Sequence, residues 1–383
     1  MGEAKDGKKR SAIHRARLHD VRAVLKNNVV LLVAISAAAI TCFFVPPDAA
    51  YADYFDVRTL SCLFCTLAVV SALKNIRFFT FTADRIVRGF KNLRNVVLAL
   101  VFVTYFGSMV MANDMALITF LPLGYFALNE CGQKKVMAFT FVMQNIAANL
   151  GGMLTPFGNP QNLYLYLYYT ISAGEFFAIM APPFAVAFLL IAGVCLFVKK
   201  QPVEVSAIRP GTPSPWRTAV YFVLFAISVM IVFRVFPYYW GLAAVTVSLL
   251  VLDYKAFAKV DYALLLTFCA FFVFSGNMAR IPVVREFFSS LMSRDPLLFG
   301  VLSCQIISNV PSAVLLSKFT ADYANLLVAV NIGGLGTPVA SLASLITLSN
   351  YRQTGGNVKR YLGLFLLINF IFLGILLAVG YLF

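Results

Sequence analysis

Three observations predict an all-α polytopic membrane protein arranged as an inverted-topology repeat, with two re-entrant hairpins and two broken transmembrane helices. Of 383 residues, 61% are hydrophobic and 12% charged, and the mean hydropathy is +0.84. A water-soluble domain carries about 25% charge. The apolar residues fall in runs of roughly 15 to 25, the length that crosses a hydrocarbon core, and not in the short alternating strands of a porin-like barrel. Finally, Asn149-Leu-Gly-Gly-Met-Leu-Thr-Pro156 recurs 182 residues later as Asn331-Ile-Gly-Gly-Leu-Gly-Thr-Pro338, identical at five of eight positions. A repeat of this kind in mid-span marks internal duplication.

Residues 1–27 carry eight Lys or Arg, with Leu18, Val21 and Leu25 at helical spacing; they read as a cytoplasmic basic surface helix. The apolar run 29–45 with Ala50-Tyr51-Ala52 imitates a signal peptide. Its basic region is too long and its apolar run exceeds a usual h-region, so it reads as the first span. The loop 46–56 has three Asp and no Lys or Arg, whereas 74–94, after the second span, has six basic residues; the first is outside and the second inside. Ile86, Val87, Phe90 and Leu93 share a face among Arg85, Arg88, Lys91 and Arg94, which predicts a second surface helix.

Residues 95–128 are apolar in their interior except at Asn113 and Asp114 and lead to Lys134 and Lys135. Two arms that begin and end on one side make a re-entrant hairpin with Asn113-Asp114 at its tip. Residues 136–172 cross outward, interrupted by Gly151-Gly152 and by Pro156 to Pro160, and a span over 176–198 closes the first repeat, 28–198. The Pro-rich stretch 199–216 is a cytoplasmic linker, and 217–236 is a connecting span. The second repeat, 239–383, holds spans at 239–253 and 260–278, an amphipathic stretch with Val284, Phe287, Phe288 and Leu291, and a hairpin at 297–320 around Ser308-Asn309-Val310-Pro311. A broken span at 321–350 and a final span at 361–382 complete it. The two halves run in opposite orientations, the arrangement of secondary transporters. The net charge of +15 is then a matter of topology and lipid headgroups, with no nucleic-acid partner. The expected location is the cell membrane, multi-pass, with the N-terminus cytoplasmic. The seven cysteines, including Cys62-Leu-Phe-Cys65, lie in or beside apolar runs and read as small buried packing residues.

The repeat is where chemistry is expected. Gly-Gly and Thr-Pro interrupt the helical ladder and free carbonyls and N–H groups that lipid cannot satisfy, so such breaks line polar cavities. Carbonyls with Asn and Thr oxygens suit Na⁺ or a substrate hydroxyl, and half-helix N-termini suit an anionic group. Asn149, Thr155, Asn331 and Thr337 are the repeated candidates, binding directly or holding the unwound backbone. Asp114 is the one acidic residue placed deep in the membrane. It suits a proton carrier or half of a Na⁺ site, and it also suits a helix cap at the hairpin tip.

Met111-Ala-Asn-Asp114 with Leu121-Pro122, Thr155-Pro-Phe-Gly-Asn-Pro-Gln-Asn162, Ser308-Asn-Val-Pro311 and the run Asn331 to Ser344 resemble the ion transporter superfamily of arsenical-pump permeases, NhaD-type sodium/proton antiporters and citrate and dicarboxylate carriers. The resemblance covers essentially the whole membrane region. It implies a scaffold, often homodimeric, and a transport domain of both hairpins and both broken helices moving as an elevator. It further implies that Asn113, Asp114, Thr155, Asn159 and Asn162 line one half-site and Ser308, Asn309, Thr337, Ser341 and Ser344 the other, with a Na⁺ position near Asn113, Asp114 and Asn309. The hairpin tips differ from the Ser-Asn-Thr of the dicarboxylate branch, and no Lys or Arg adjoins either tip, the nearest being Lys318. A small inorganic oxyanion, a neutral oxyacid such as arsenious acid, or a bare cation fits better.

The expected function is a secondary active permease for a small anion or oxyacid, coupled to H⁺ or Na⁺ through Asp114 and needing no cofactor. A sodium/proton antiporter is the alternative. An enzyme has little support, since His14 and His19 lie in the basic tail and no H-E-x-x-H or G-x-S-x-G motif occurs. A passive channel fits broken helices poorly. No P-loop is present, so pumping would need an ion gradient or a separate subunit.

Overall fold

The computed structural model describes residues 29–203 and 211–382, which form helices and connections with no strand. The basic helix expected over 1–27 and the centre of the expected linker lie outside the described residues. In chain order the helices are α1 (Val29–Phe44), α2 (Val57–Asn75), α3 (Phe78–Arg88), α4 (Leu93–Ser108), α5 (Asn113–Glu130), α6 (Met137–Gly151), α7 (Pro160–Tyr168), α8 (Ala173–Leu196) and α9 (Pro215–Val232). They continue as α10 (Tyr238–Asp253), α11 (Tyr262–Arg280), α12 (Pro282–Arg294), α13 (Pro296–Ile307), α14 (Asn309–Leu316), α15 (Tyr323–Ile332), α16 (Leu342–Gln353) and α17 (Val358–Gly380). Among the described residues, α2, α8, α9, α11, α17 and the stretch Tyr238–Lys259 are long and apolar enough to cross a membrane. The protein is a multi-pass membrane protein.

Polar residues set the helix starts at the loops. Asp56 accepts from Thr59 N at 2.9 Å, Asn92 from Asn95 N at 3.0 Å, Asp261 from Leu264 N at 2.9 Å and Asp295 from Leu298 N at 2.9 Å. Each satisfies a donor that a helix N-terminus otherwise leaves open. The cap at Asn92 also corrects the surface helix expected to reach Leu93: α3 ends at Arg88, and Leu93 with Arg94 opens α4. Sequence periodicity runs across the Gly89 break without registering it, because Val87 and Leu93, on two different helices, are both buried.

The described chain divides into two compact units. The smaller joins residues 29–55 to Asp261–Ile281. There α1 packs on α11, and Asn277, fully buried, donates to Tyr51 Oη at 2.8 Å and Thr41 Oγ1 at 3.2 Å. At its rim Arg280 holds Asp48, with Nη2 to Oδ2 at 2.6 Å. This guanidinium keeps the Asp48 carboxyl below the ordinary range. The larger unit is Asp56–Val260 with Pro282–Phe383, and it contains both hairpins and both breaks. Hairpin α4–α5 has arms of 16 and 18 residues, and hairpin α13–α14 has arms of 12 and 8. The first broken span is α6, a 3₁₀ turn at Gly152–Leu154 and α7; the second is α15, an irregular stretch from 333 to 341 and α16. The compact units therefore do not follow the repeats, since α1 and α11 come from different halves of the sequence.

Candidate functional site

Asn149 and Asn331 each occupy the last turn of the half-helix that precedes a break. Both are buried, with 2% and 1% of their surface exposed, so their amides need partners inside the protein. Asn149 Oδ1 accepts from Asn113 Nδ2 at 3.0 Å and from Ser341 Oγ at 2.8 Å. Asn331 Oδ1 accepts from Asn159 Nδ2 at 3.3 Å, and its Nδ2 donates to Asn162 Oδ1 at 2.6 Å. Asn159 and Ser341 are equivalent residues of the two repeats, each the N-cap of its second half-helix. Each reaches across to the repeated asparagine of the other half. The half-sites therefore interlock: Ser341 joins Asn113 and Asn149, while Asn331 joins Asn159 and Asn162.

The second glycine of each Gly-Gly pair makes this possible. A Cβ at Gly152 would stand 2.3 Å from Asn159 Oδ1, and one at Gly334 would stand 3.0 Å from Asn309 Nδ2 and 3.4 Å from Asn149 Oδ1. Amide side chains press on the backbone at both places, where any larger residue would displace them.

The repeated threonines hold the hairpins. Thr155 Oγ1 donates to Met109 O at 2.8 Å, and Thr337 Oγ1 donates to Gln305 O at 3.2 Å. Met109 and Gln305 each lie four residues ahead of the tip asparagine, Asn113 or Asn309. One bond thus recurs in both halves, between the break and the end of the first hairpin arm. At the second tip Asn309 N and Ser308 Oγ both donate to Ala340 O, at 3.0 and 3.3 Å, and Ser308 has a φ of 75°.

The backbone of the two breaks is satisfied differently. Asn162 Nδ2 spans Gly152 O, Met153 O and Thr155 O at 3.1 to 3.3 Å. In the second break Ser344 stands where the first has Asn162 and is too short for that task. Gln305 performs it from the hairpin instead: Nε2 donates to Gly333 O at 3.0 Å and Leu335 O at 2.9 Å, and Oε1 accepts from Thr337 N at 2.9 Å. Ser344 accepts from Asn145 Nδ2 at 3.3 Å, and Thr347 Oγ1 donates to Asn145 Oδ1 at the same distance. Sequence reasoning passed over Gln305, Asn145 and Thr347. Asn145 was findable, one helical turn before Asn149 on the same face, whereas Gln305 has a methionine for its counterpart and carries no repeat signal.

Asp114 lies in the first turn of α5, half-buried beside Asn113. Lys318, the cation nearest in sequence to the second hairpin tip, follows α14 with Nζ 4.6 Å above the Tyr168 ring. Four helix N-termini, those of α5, α7, α14 and α16, begin at residues of this network. The preceding Ala112 and Asn159 make no side-chain cap bond, whereas Ser341 caps α16 through Ala343 N at 3.2 Å, and at α14 Asn309 Oδ1 accepts from Val310 N at 3.0 Å while Asn309 N donates to Ala340 O. Helix N-termini carry partial positive charge, and the interrupted ends of α6 and α15 supply carbonyls. The arrangement can receive an anion and a cation side by side.

Two relatives share most of the chain. An uncharacterized transporter of Methanocaldococcus jannaschii is 33% identical over 312 residues, 81% of this chain and 84% of its own. The inner membrane protein YbiR of Escherichia coli is 29% identical over 321 residues, 80% of this chain and 83% of its own. The solved YdaH transporter of Alcanivorax borkumensis is similar at a TM-score of 0.43 and 12% identity, covering 92% of this chain and 95% of that one. The profile of the citrate transporter family CitMHS matches residues 22–327, and the chain, a membrane transporter, belongs to that family.

Proposed function

We propose that the protein is a secondary active permease that carries a small anion or oxyacid, coupled to H⁺ or Na⁺, with the site formed where the two hairpin tips meet the two breaks. The observation that carries this reading is the set of three helix N-termini, those of α5, α7 and α16, joined through Asn149 and Asn331, two of them without a side-chain cap. Uncapped N-termini in a buried polar network favour negative charge without needing a fixed Lys or Arg. The network is made of neutral side chains, which suits a substrate that must be released as well as bound. Citrate enters the substrate panel through the family's name, beside inorganic oxyanions and arsenious acid. Alternating access would move both hairpins and both broken helices as one body, in an elevator, with the N-terminus cytoplasmic and the chain paired as a homodimer.

Asp114 is assigned the coupling role because it is the carboxylate next to Asn113, whose amide opens the network. The test is purified protein in liposomes, screened with labelled citrate, phosphate, sulfate and arsenite under imposed Na⁺ or pH gradients. Asp114→Asn keeps shape and removes the titratable charge, so it should abolish uphill accumulation while leaving exchange. Accumulation by the variant with unchanged pH and Na⁺ dependence would place the coupling group elsewhere. Uptake of Na⁺ against H⁺ with none of the anions moved would favour the antiporter reading instead.

A further inference from the structure

An apolar cavity opens beside the surface helix α3, away from the polar network. It has a volume of about 730 Å³ and is walled by α3 and α4, with Phe120 of α5 and Val110 beside the hairpin tip. Phe78, Thr82 and Ile86 line it along the surface helix, Phe90 lines it just past that helix, and Leu98, Phe102 and Phe106 line it along α4. Its mouth leaves Ile86 44% exposed, Phe90 37% and Phe106 50%. In a membrane-spanning unit, an opening edged by such side chains faces acyl chains and not water.

The charge around one end is mostly positive, with Asp84 the acidic residue among Arg85, Arg88, Lys91 and Arg94. Arg85 stands one turn from Thr82 on α3, Lys91 follows Phe90, and Arg94 lies one turn ahead of Leu98 on α4. Arg88 is engaged by Asp84 at 2.8 Å, and Arg94 Nε donates to Val198 O at 2.7 Å. Arg85 and Lys91 are exposed, and among the described residues neither forms a salt bridge. We propose that this cavity is a binding site for one anionic phospholipid, whose acyl chain enters between α3 and α4 and whose phosphate is held by Arg85 and Lys91. An apolar slot with free cations at one end matches the two parts of such a lipid: burial of methylene groups binds the chain, and basic side chains at the headgroup layer select the charge. The far end of the slot is formed by Gly107 and Val110, flanking Met109, whose carbonyl takes the Thr155 hydroxyl. The lipid would therefore stand against the hairpin that carries Asn113.

The test uses the full chain with Trp216→Phe, Trp240→Phe and Phe102→Trp, so that the only indole lines the cavity. Fluorescence is read in phosphatidylcholine vesicles containing a minor share of brominated phosphatidylglycerol or of brominated phosphatidylcholine. The anionic lipid should quench at roughly 30-fold lower content, the size two basic side chains supply near a headgroup layer. Arg85→Gln with Lys91→Gln should bring the two lipids level, and Ala99→Phe, which fills the slot, should weaken quenching by both. Equal quenching by the two lipids in the folded single-indole reporter overturns the proposal without the Arg85, Lys91 or Ala99 variants having to fold. A reporter that neither lipid quenches, or a preference that survives removal of Arg85 and Lys91, overturns it as well.

Discussion

Asn149 and Asn331 show what a buried amide contributes when both its ends are used. Alanine at Asn149 would strand Asn113 Nδ2 and remove an acceptor from Ser341 Oγ, and alanine at Asn331 would strand Asn162 Oδ1 and leave Asn159 Nδ2 with Asn149 O alone. Each unsatisfied buried group costs about 1–3 kcal/mol. Substrate affinity, measured by binding to the solubilised protein, should therefore fall by roughly 10- to 100-fold in either variant, and the two losses should be similar because the residues are related by the repeat. Gln305 predicts a different outcome. Gln305→Leu removes the partner of two carbonyls and one N–H in the second break, and the conformation at Gly336, with φ at 100°, depends on that brace. The expected result is a loss of about 2–4 kcal/mol, seen as a lower thermal midpoint, which bound substrate should partly restore. At the rim of the smaller unit, Asp48 is held in its ionised form by Arg280. A carboxyl with a lowered folded-state pKa contributes stability that is present above its unfolded value and is lost as pH falls through the folded one. Asp48→Asn should accordingly flatten the dependence of the thermal midpoint on pH below about 4 and lower the midpoint slightly at neutral pH, where the paired carboxylate otherwise contributes.

Among elements, the half-helix α7 is the one whose two ends need outside help. Its first turn is the Asn159-Pro160 start at the network, and its last carbonyls open into a turn where Thr170 has a φ of 53°. Arg234, just past α9, closes that end: it donates to Tyr166 O at 2.9 Å, Ile171 O at 2.8 Å and Thr170 O at 3.1 Å, with its guanidinium 4.8 Å from the Tyr166 ring. A planar fork with several donors is suited to this, and a single ammonium is not. Arg234→Ala should lower the thermal midpoint by the equivalent of about 1–3 kcal/mol, and Arg234→Lys should recover less than half of it. A full recovery by lysine would mean that charge near the helix C-terminus, and not the three carbonyl bonds, is what matters. Helix placement itself was largely legible in the sequence. Spans expected at 176–198, 217–236, 239–253 and 361–382 correspond to α8, α9, α10 and α17 to within a few residues, because hydropathy and capping residues act locally. The merger of Leu93 into the surface helix failed because an apolar period says nothing of the direction change between two helices that each bury only part of that face.

Across the whole molecule, the citrate transporter family, the lipid-length helices and the duplicated breaks belong to one design, in which polar backbone is confined to where two repeats can satisfy it. The amino-acid sequence alone determined that design: the membrane class, the hairpins, and the break positions at Gly151-Gly152 and Gly333-Gly334. It could do so because a bilayer imposes a length and an apolarity on every spanning segment, and these are properties of contiguous residues. Only the tertiary structure decided the partners. Asn331 meets Asn162, 169 residues away, and Asn149 meets Ser341, 192 residues away; the second break is braced by a hairpin glutamine and the first by its own asparagine. Such pairings depend on which backbones approach closely enough for short polar side chains to span the gap, and that distance exists only once the helices have packed.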